Sequence, residues 1–393
     1  MSIKIFNGVK TISLREKLIK AEKEGRLPSV TGFHRLDGPG SSLELPVIQR
    51  YLWKNIRIPK NLGADAEWSW SSGLPRTVGI TINTGTKVIA YPFTQGMLAM
   101  ESKDYSDLKH VEGKVGHIIP DKKKWVIKIM EILGLDGVKF VIKNLCQKTR
   151  SSGLGGSATA TITSAILANH LAGEPFDKSQ LVALASFCEN DCRVSITGTQ
   201  EQWNVLQGGI VDYVWFPWGI PGKAGTGYGS VLSRKLVLDN EHEKLSEISK
   251  RILLVHSGKE HQSDEINRQW IKRFYTEDGY LLHKRKVDLA YQYAEALRLG
   301  NWSKISETVE EYREIRIKLC PGYMKNFLSL YEIVKDEAVL FPLGAGGGGI
   351  AMVWMEDPAV RSRITKEISS LDDGFVVDYK ILNKGHMIAN PLY

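Results

Sequence analysis

The chain has 393 residues, 42% of them hydrophobic and 24% charged, with a formal net charge of +8. That length exceeds one typical core, so two closely packed domains are expected, and the composition excludes disordered, collagenous and membrane-spanning classes. Four cysteines without a Cys-x-x-Cys pair exclude a disulfide scaffold, and a start lacking an apolar h-region makes the cytoplasm the expected compartment.

Ser13-Leu14-Arg15-Glu16 reads as a capping box for a charged helix ending near Gly25, so residues 1–30 read as an N-terminal extension. Trp68 and Trp70 fall on one face of a strand and read as core packing. Thr77 to Ile82 and Lys87 to Tyr91 alternate around Asn83-Thr84-Gly85-Thr86, which predicts a hairpin, and Val138 to Ile142 predicts another strand. Lys122-Lys123-Lys124 and His283-Lys284-Arg285-Lys286 are short basic runs without interleaved aromatics. They read as solvated faces, and nucleic acid is not an expected partner.

The most informative stretch is Ser151-Ser152-Gly153-Leu154-Gly155-Gly156-Ser157-Ala158. Three glycines in four positions let backbone approach a bulky anion, and a helix beginning near Ser157 aims unpaired N–H groups and its positive dipole end at that point. Ile162, Ala165, Ile166 and Ala172 give this helix one apolar side. Asp177-Lys178-Ser179-Gln180 then forms a second capping box, opening a helix striped by Leu181, Leu184, Ala185 and Cys188. Its last turn carries Glu189 at the unfavourable negative end of the macrodipole, a placement that a nearby cation explains.

Pro217 to Gly229, rich in glycine and proline, is the candidate boundary between domains at 31–220 and 221–393. Beyond it lie a strand at Arg251 to Val255, helices filling Leu281 to Lys335, and a strand, helix and strand from Val339 to Leu382. The run Gly344-Ala345-Gly346-Gly347-Gly348-Gly349 forbids side chains where two backbones, or a backbone and a ligand, must meet. Strands and helices in runs predict an α+β fold.

Thr149 to Ala158 and the run from Gly344 resemble, in order and separation, the second and third motifs of the GHMP kinases, the superfamily of galactokinase, homoserine kinase, mevalonate kinase and phosphomevalonate kinase. Arg35 to Pro46, Glu189 and Gly198 to Trp203 are similar to further motifs of its heptose 7-phosphate 1-kinase-like sugar kinases. The resemblance implies a two-domain fold, with an N-terminal ribosomal protein S5-like domain that binds ATP and a ferredoxin-like C-terminal domain. It implies ATP and Mg²⁺ as cofactors, with a sugar or sugar phosphate, phosphorylated at the anomeric hydroxyl, as the acceptor. ATP would lie on Gly153, Leu154, Gly155, Gly156, Ser157 and Ala158, and Mg²⁺ on Ser157 and Glu189. Glu201 and Arg35 would be catalytic, with Glu44, Ser42, Gly346, Gly347 and Ser257 around the substrate. A monomer or homodimer with no membrane partner is expected. Gly156 stands where relatives have serine, and Glu44 and Glu201 where they have aspartate. Kinases of mevalonate-like or inositol-like alcohols, and a sensor that binds nucleotide or sugar without turnover, share enough of the pattern to remain alternatives.

Overall fold

The computed structural model describes residues 13–54, 56, 70–102, 108–145, 153–194, 198–217, 230–259 and 263–392. Trp68, Thr149, Cys146, His261 and most of the Pro217 to Gly229 boundary lie outside them.

The first part of the chain contains α1 (Leu14–Lys23), β1 (Ser29–Asp37), α2 (Pro46–Trp53), β2 (Arg76–Pro92), β3 (Met97–Ser102), β4 (Val111–Lys114), α3 (Trp125–Ile132) and β5 (Val138–Asn144). There follow α4 (Gly156–Leu171), α5 (Lys178–Asp191), α6 (Gln200–Gln207), β6 (Ile210–Phe216) and β7 (Ser230–Lys235). The second part comprises α7 (His242–Arg251), β8 (Ile252–His256), α8 (Ser263–Phe274), α9 (Glu277–Leu299), α10 (Trp302–Leu319), α11 (Leu328–Val334), β9 (Val339–Pro342), β10 (Ile350–Trp354), α12 (Arg361–Ser369), β11 (Phe375–Val377) and β12 (His386–Ala389). The fold is α+β, as the runs of elements predict.

Both capping boxes form, at Ser13 with Glu16 and at Asp177 with Gln180. The predicted hairpin does not. Residues 76–92 are one 17-residue strand that pairs with β1 along both halves, with β6 on its first half and β5 on its second. Gly85 marks a close approach: a Cβ there would lie 2.1 Å from the Gly32 carbonyl oxygen, beside a register shift between Phe33 and Arg35. The local turn chemistry yields to continuous pairing on both edges.

The larger sheet has the path β12-β1-β2-β5-β3-β4, with β6 and β7 joined through β2; the second sheet runs β11-β8-β10-β9. Strand β12 pairs antiparallel to β1, so the C-terminal tail returns to the first sheet. Helix α4 is buried on all sides from Ala158 to Leu171, not on one stripe as its sequence predicts. Its hydroxyls avoid a desolvation penalty by bonding one turn back: Thr161 to the Ser157 carbonyl, Thr163 to Thr159 and Ser164 to Ala160. Gly32 lets α4 sit tight on β1, since a Cβ there would be 2.0 Å from Thr163 Oγ1. This packing fixes where the N-terminus of α4 points.

Candidate active site

Gly155 is the N-cap of α4, at φ +72°, and no side chain caps it. The first-turn amides therefore lack the side-chain acceptor that most helix starts supply. Leu154 anchors the loop in the core. Gly153 and Gly344 meet backbone to backbone: a Cβ on Gly153 would lie 2.6 Å from the Leu343 carbonyl oxygen, and one on Gly344 2.6 Å from that of Gly153. The two glycine runs, about 190 residues apart, are thus one structural unit.

Glu201 lies in the first turn of α6, where the helix dipole favours a carboxylate. Its Oε1 accepts from Arg35 Nη2 at 2.5 Å, and Arg35 Nη1 is 3.3 Å from Asp37 Oδ1. Burial works against the Arg35 charge, but Glu201, Asp37 and Glu44 outweigh it and hold the guanidinium above its ordinary range. The Glu201 side chain packs on Gly155, where a Cβ would come within 2.4 Å of its Cγ. Glu44 is buried close by; a Cβ on Gly198 would sit 2.4 Å from its Cγ. Burial, then the charge of Glu201, pushes the Glu44 carboxyl up to about 7, and its Oε2 has no hydrogen-bond partner. Arg35, Ser42, Glu44, Glu201 and Gly344 line one cavity of ≈ 100 Å³.

Ser157, on the first turn of α4, donates through Oγ to Glu189 Oε1 at 2.9 Å, while Gln202 Nε2 reaches Glu189 Oε2 at 3.2 Å. Glu189 is fully buried, and desolvation lifts its carboxyl to about 8 against the hydrogen bonds from Ser157 and Gln202. Among the described residues no group of three or more His, Cys, Asp and Glu side chains is arranged to hold a metal. On its other side Ser157 borders a largely apolar cavity of ≈ 170 Å³, walled by Leu108, Trp125, Ile142 and Ala160.

Three sequence-predicted positions face elsewhere. A Cβ on Gly346 would strike the Tyr323 ring, so packing requires glycine there, and at Gly347 the left-handed backbone at φ +80° favours it. Ser257 donates its amide to the Gly349 carbonyl and lines a separate cavity with Asn326 and Asp373. Ser42 does border the Glu44 cavity, with φ +73° and its hydroxyl engaged by the Ser41 carbonyl and by Lys286 Nζ at 3.0 Å.

Four residues at the site were not among the sequence-predicted ones, and of these only Asp37 lies in a motif-like segment. Asp37 accepts the Gly344 amide at 3.1 Å, and Arg316 donates to the Gly344 carbonyl at 2.6 Å. Trp270 and Lys286 complete this wall. His283 and Lys286 are both fully buried, which corrects the reading of 283–286 as a solvated face. One signal was available: Tyr312, Ile315, Arg316 and Leu319 share a buried helical stripe, and a cation on such a stripe is out of place.

Residues 123–209 match the family model described as GHMP kinases N terminal domain, a span that takes in the glycine loop, Glu189 and Glu201. Among solved structures, a Lactococcus lactis galactokinase complexed with galactose is 14% identical with a TM-score of 0.63, over 94% of this chain and 98% of that one. A D-glycero-D-manno-heptose 1-phosphate kinase from Bacteriodes thetaiotaomicron is 14% identical with a TM-score of 0.62, over 92% and 98%. The Methanococcus jannaschii mevalonate kinase is 15% identical with a TM-score of 0.61, over 91% and 99%. No curated protein matches the chain. The chain carries a GHMP kinase N-terminal domain and has the GHMP kinase fold. Among the described residues no helix is long and apolar enough to cross a membrane.

Proposed function

We propose that this chain, with its GHMP kinase domain and fold, is an ATP-dependent kinase that transfers the γ-phosphoryl group to a hydroxyl of a sugar or sugar phosphate. The observation that carries the reading is the Arg35–Glu201 ion pair packed on Gly155, at the uncapped start of α4. Phosphoryl transfer needs phosphates cradled, charge neutralised and an attacking hydroxyl lined up beside them, and this arrangement offers all three within one short span.

In this reading the phosphates lie on the amides from Gly153 to Ala158, and the base enters the apolar cavity beside Ser157. Residues up to about 220 hold the nucleotide and those beyond close the acceptor site. Glu201 accepts or orients the proton of the attacking hydroxyl, while Arg35 fixes that carboxylate and steadies developing charge. Glu44, with Oε2 lacking a partner, takes a hydroxyl of the acceptor. Ser157 and Glu189 fit Mg²⁺: two oxygen donors stand together, and a cation would relieve the carboxylate that burial holds near 8. Held by these two residues, the ion would supply charge neutralisation on the polyphosphate.

The test is ADP release with ATP and Mg²⁺ across a panel of hexoses, heptoses, their phosphates, mevalonate and inositol, with phosphorus NMR locating the product phosphate. Glu201→Gln is expected to lower turnover by roughly 10²–10⁴-fold with nucleotide affinity kept. Nucleotide binding without turnover across the whole panel refutes the kinase and leaves a sensor. Turnover with mevalonate or inositol alone moves the acceptor out of the sugars.

A further inference from the structure

In the wall of the Glu44 cavity and just behind it lie two buried cations, Arg316 and Lys286, that make no ion pair among the described residues. Lys286 on α9 is 0% exposed and Arg316 on α10 is 1% exposed. Every acceptor they reach is neutral. Lys286 Nζ donates to the Ser41 carbonyl at 2.7 Å and to Ser42 Oγ. Arg316 donates to Tyr312 Oη at 2.7 Å and to the carbonyls of Gly344 and Ala345. Both cations also sit over the Trp270 ring, the guanidinium carbon at 3.6 Å and the ammonium nitrogen at 4.8 Å from its centre. Two like charges sharing one ring repel each other, and buried charges are ordinarily paired. Burial first, and then Arg316, depresses the Lys286 ammonium well below its usual range, against the distant pull of Glu44 and Asp37.

The cavity wall supplies a second, independent observation. Arg316 Nε and Trp270 Nε1 are buried donors without a partner, and Glu44 Oε2 is a buried acceptor without one. All three side chains line the same cavity as Arg35 and Glu201. Neutral groups accept from both Arg316 Nη atoms, so what this wall lacks is negative charge and acceptors for the Arg316 Nε–H and the Trp270 Nε1–H.

We propose that the Arg316–Trp270 wall is the subsite for an anionic substituent of the acceptor, a carboxylate or a phosphate, with Lys286 adding its field from behind and Glu44 holding a hydroxyl. The inference deepens the kinase reading only in naming the acceptor, which becomes an anionic sugar. The binding site itself stands apart from turnover.

Titration calorimetry on the full chain without nucleotide tests it, with glucose, glucuronate, glucose 6-phosphate, mannose, mannose 6-phosphate and inorganic phosphate as probes. At least one anionic sugar is expected to bind tenfold or more tightly than its neutral counterpart, and comparison of uronate with phosphate identifies the anion. Arg316→Met should abolish the preference, and Trp270→Phe, which keeps the ring and removes the N–H, should reduce it several-fold. ATP affinity and circular dichroism report folding. If Arg316→Met does not fold, Trp270→Phe decides. Equal affinity for neutral and anionic sugars, no binding of any anionic sugar, or a preference unchanged in the folded variants overturns the subsite. Because these titrations contain no ATP, an anion preference without turnover refutes the kinase and keeps the subsite, while turnover with no anion preference does the reverse.

Discussion

A methyl group added at Gly155 tests whether the glycine loop and Glu201 form one machine. Gly155→Ala has two costs, and Gly25→Ala separates them. Both glycines are left-handed, at φ +72° and +66°, but nothing lies within 4 Å of a Cβ on Gly25, whereas one on Gly155 stands 2.4 Å from Glu201 Cγ. The left-handed conformation costs an L-residue roughly 1–2 kcal/mol, and forced overpacking adds about 1–3 kcal/mol. Gly25→Ala should therefore lose only the first amount, and Gly155→Ala the sum, by urea denaturation followed by circular dichroism. Restoring ordinary contact at 3.4 Å requires Glu201 Cγ to move by about 1 Å, the difference from 2.4 Å. A misplacement of that size costs about a hundredfold in rate, read by ADP release with the acceptor found in the panel. Gly25→Ala should leave turnover unchanged. Equal turnover in the two variants would refute the idea that the Gly155 backbone sets the position of Glu201.

Glu189 predicts a pH dependence of stability. Its folded pKa of about 8 stands above the ordinary 4.5, so between these values the folded chain binds more protons than the unfolded one, and stability declines as pH rises through that window. A tenfold difference in proton affinity between the two states is worth about 1.4 kcal/mol. Glu189→Gln should flatten the profile, and Mg²⁺ with nucleotide should stabilise the wild-type chain more at pH 8 than at pH 6; identical thermal profiles for wild type and Glu189→Gln would contradict this. At the β2–β6 seam, Arg76 and Asp212 are fully buried 3.1 Å apart, with burial lowering the Arg76 pKa and raising that of Asp212. Asp212→Leu alone should cost about 3–5 kcal/mol, and the Arg76→Met/Asp212→Leu pair less than that; a double variant weaker than the single in urea would show that the single's loss does not come from leaving the Arg76 charge buried and uncompensated. Gly32→Ala drives a methyl into Thr163 Oγ1, for a loss of about 1–3 kcal/mol. Adding Thr163→Ala should recover most of it, and additive losses in the double variant would place the clash elsewhere.

Features set by short-range chemistry were legible in the residues themselves. The capping boxes at Ser13 and Asp177, the left-handed glycines at the mouth of α4 and the position of Glu189 in the last turn of α5 depend on neighbours within about one helical turn. Arg35, Glu44, Ser157 and Glu201 were reached through the resemblance to family motifs, since the order and separation of those segments are read directly from the sequence. Residues 83–86 carry turn chemistry but lie in a continuous strand, since β1, β5 and β6 satisfy the backbone of β2 along its length. Tertiary structure alone decided that Arg35 meets Glu201, that Gly153 seats Gly344, and that Arg316 and Lys286 share the Trp270 ring at the cavity wall. Such contacts join positions up to hundreds of residues apart, and their energies depend on burial and distance, which no local pattern of residues encodes.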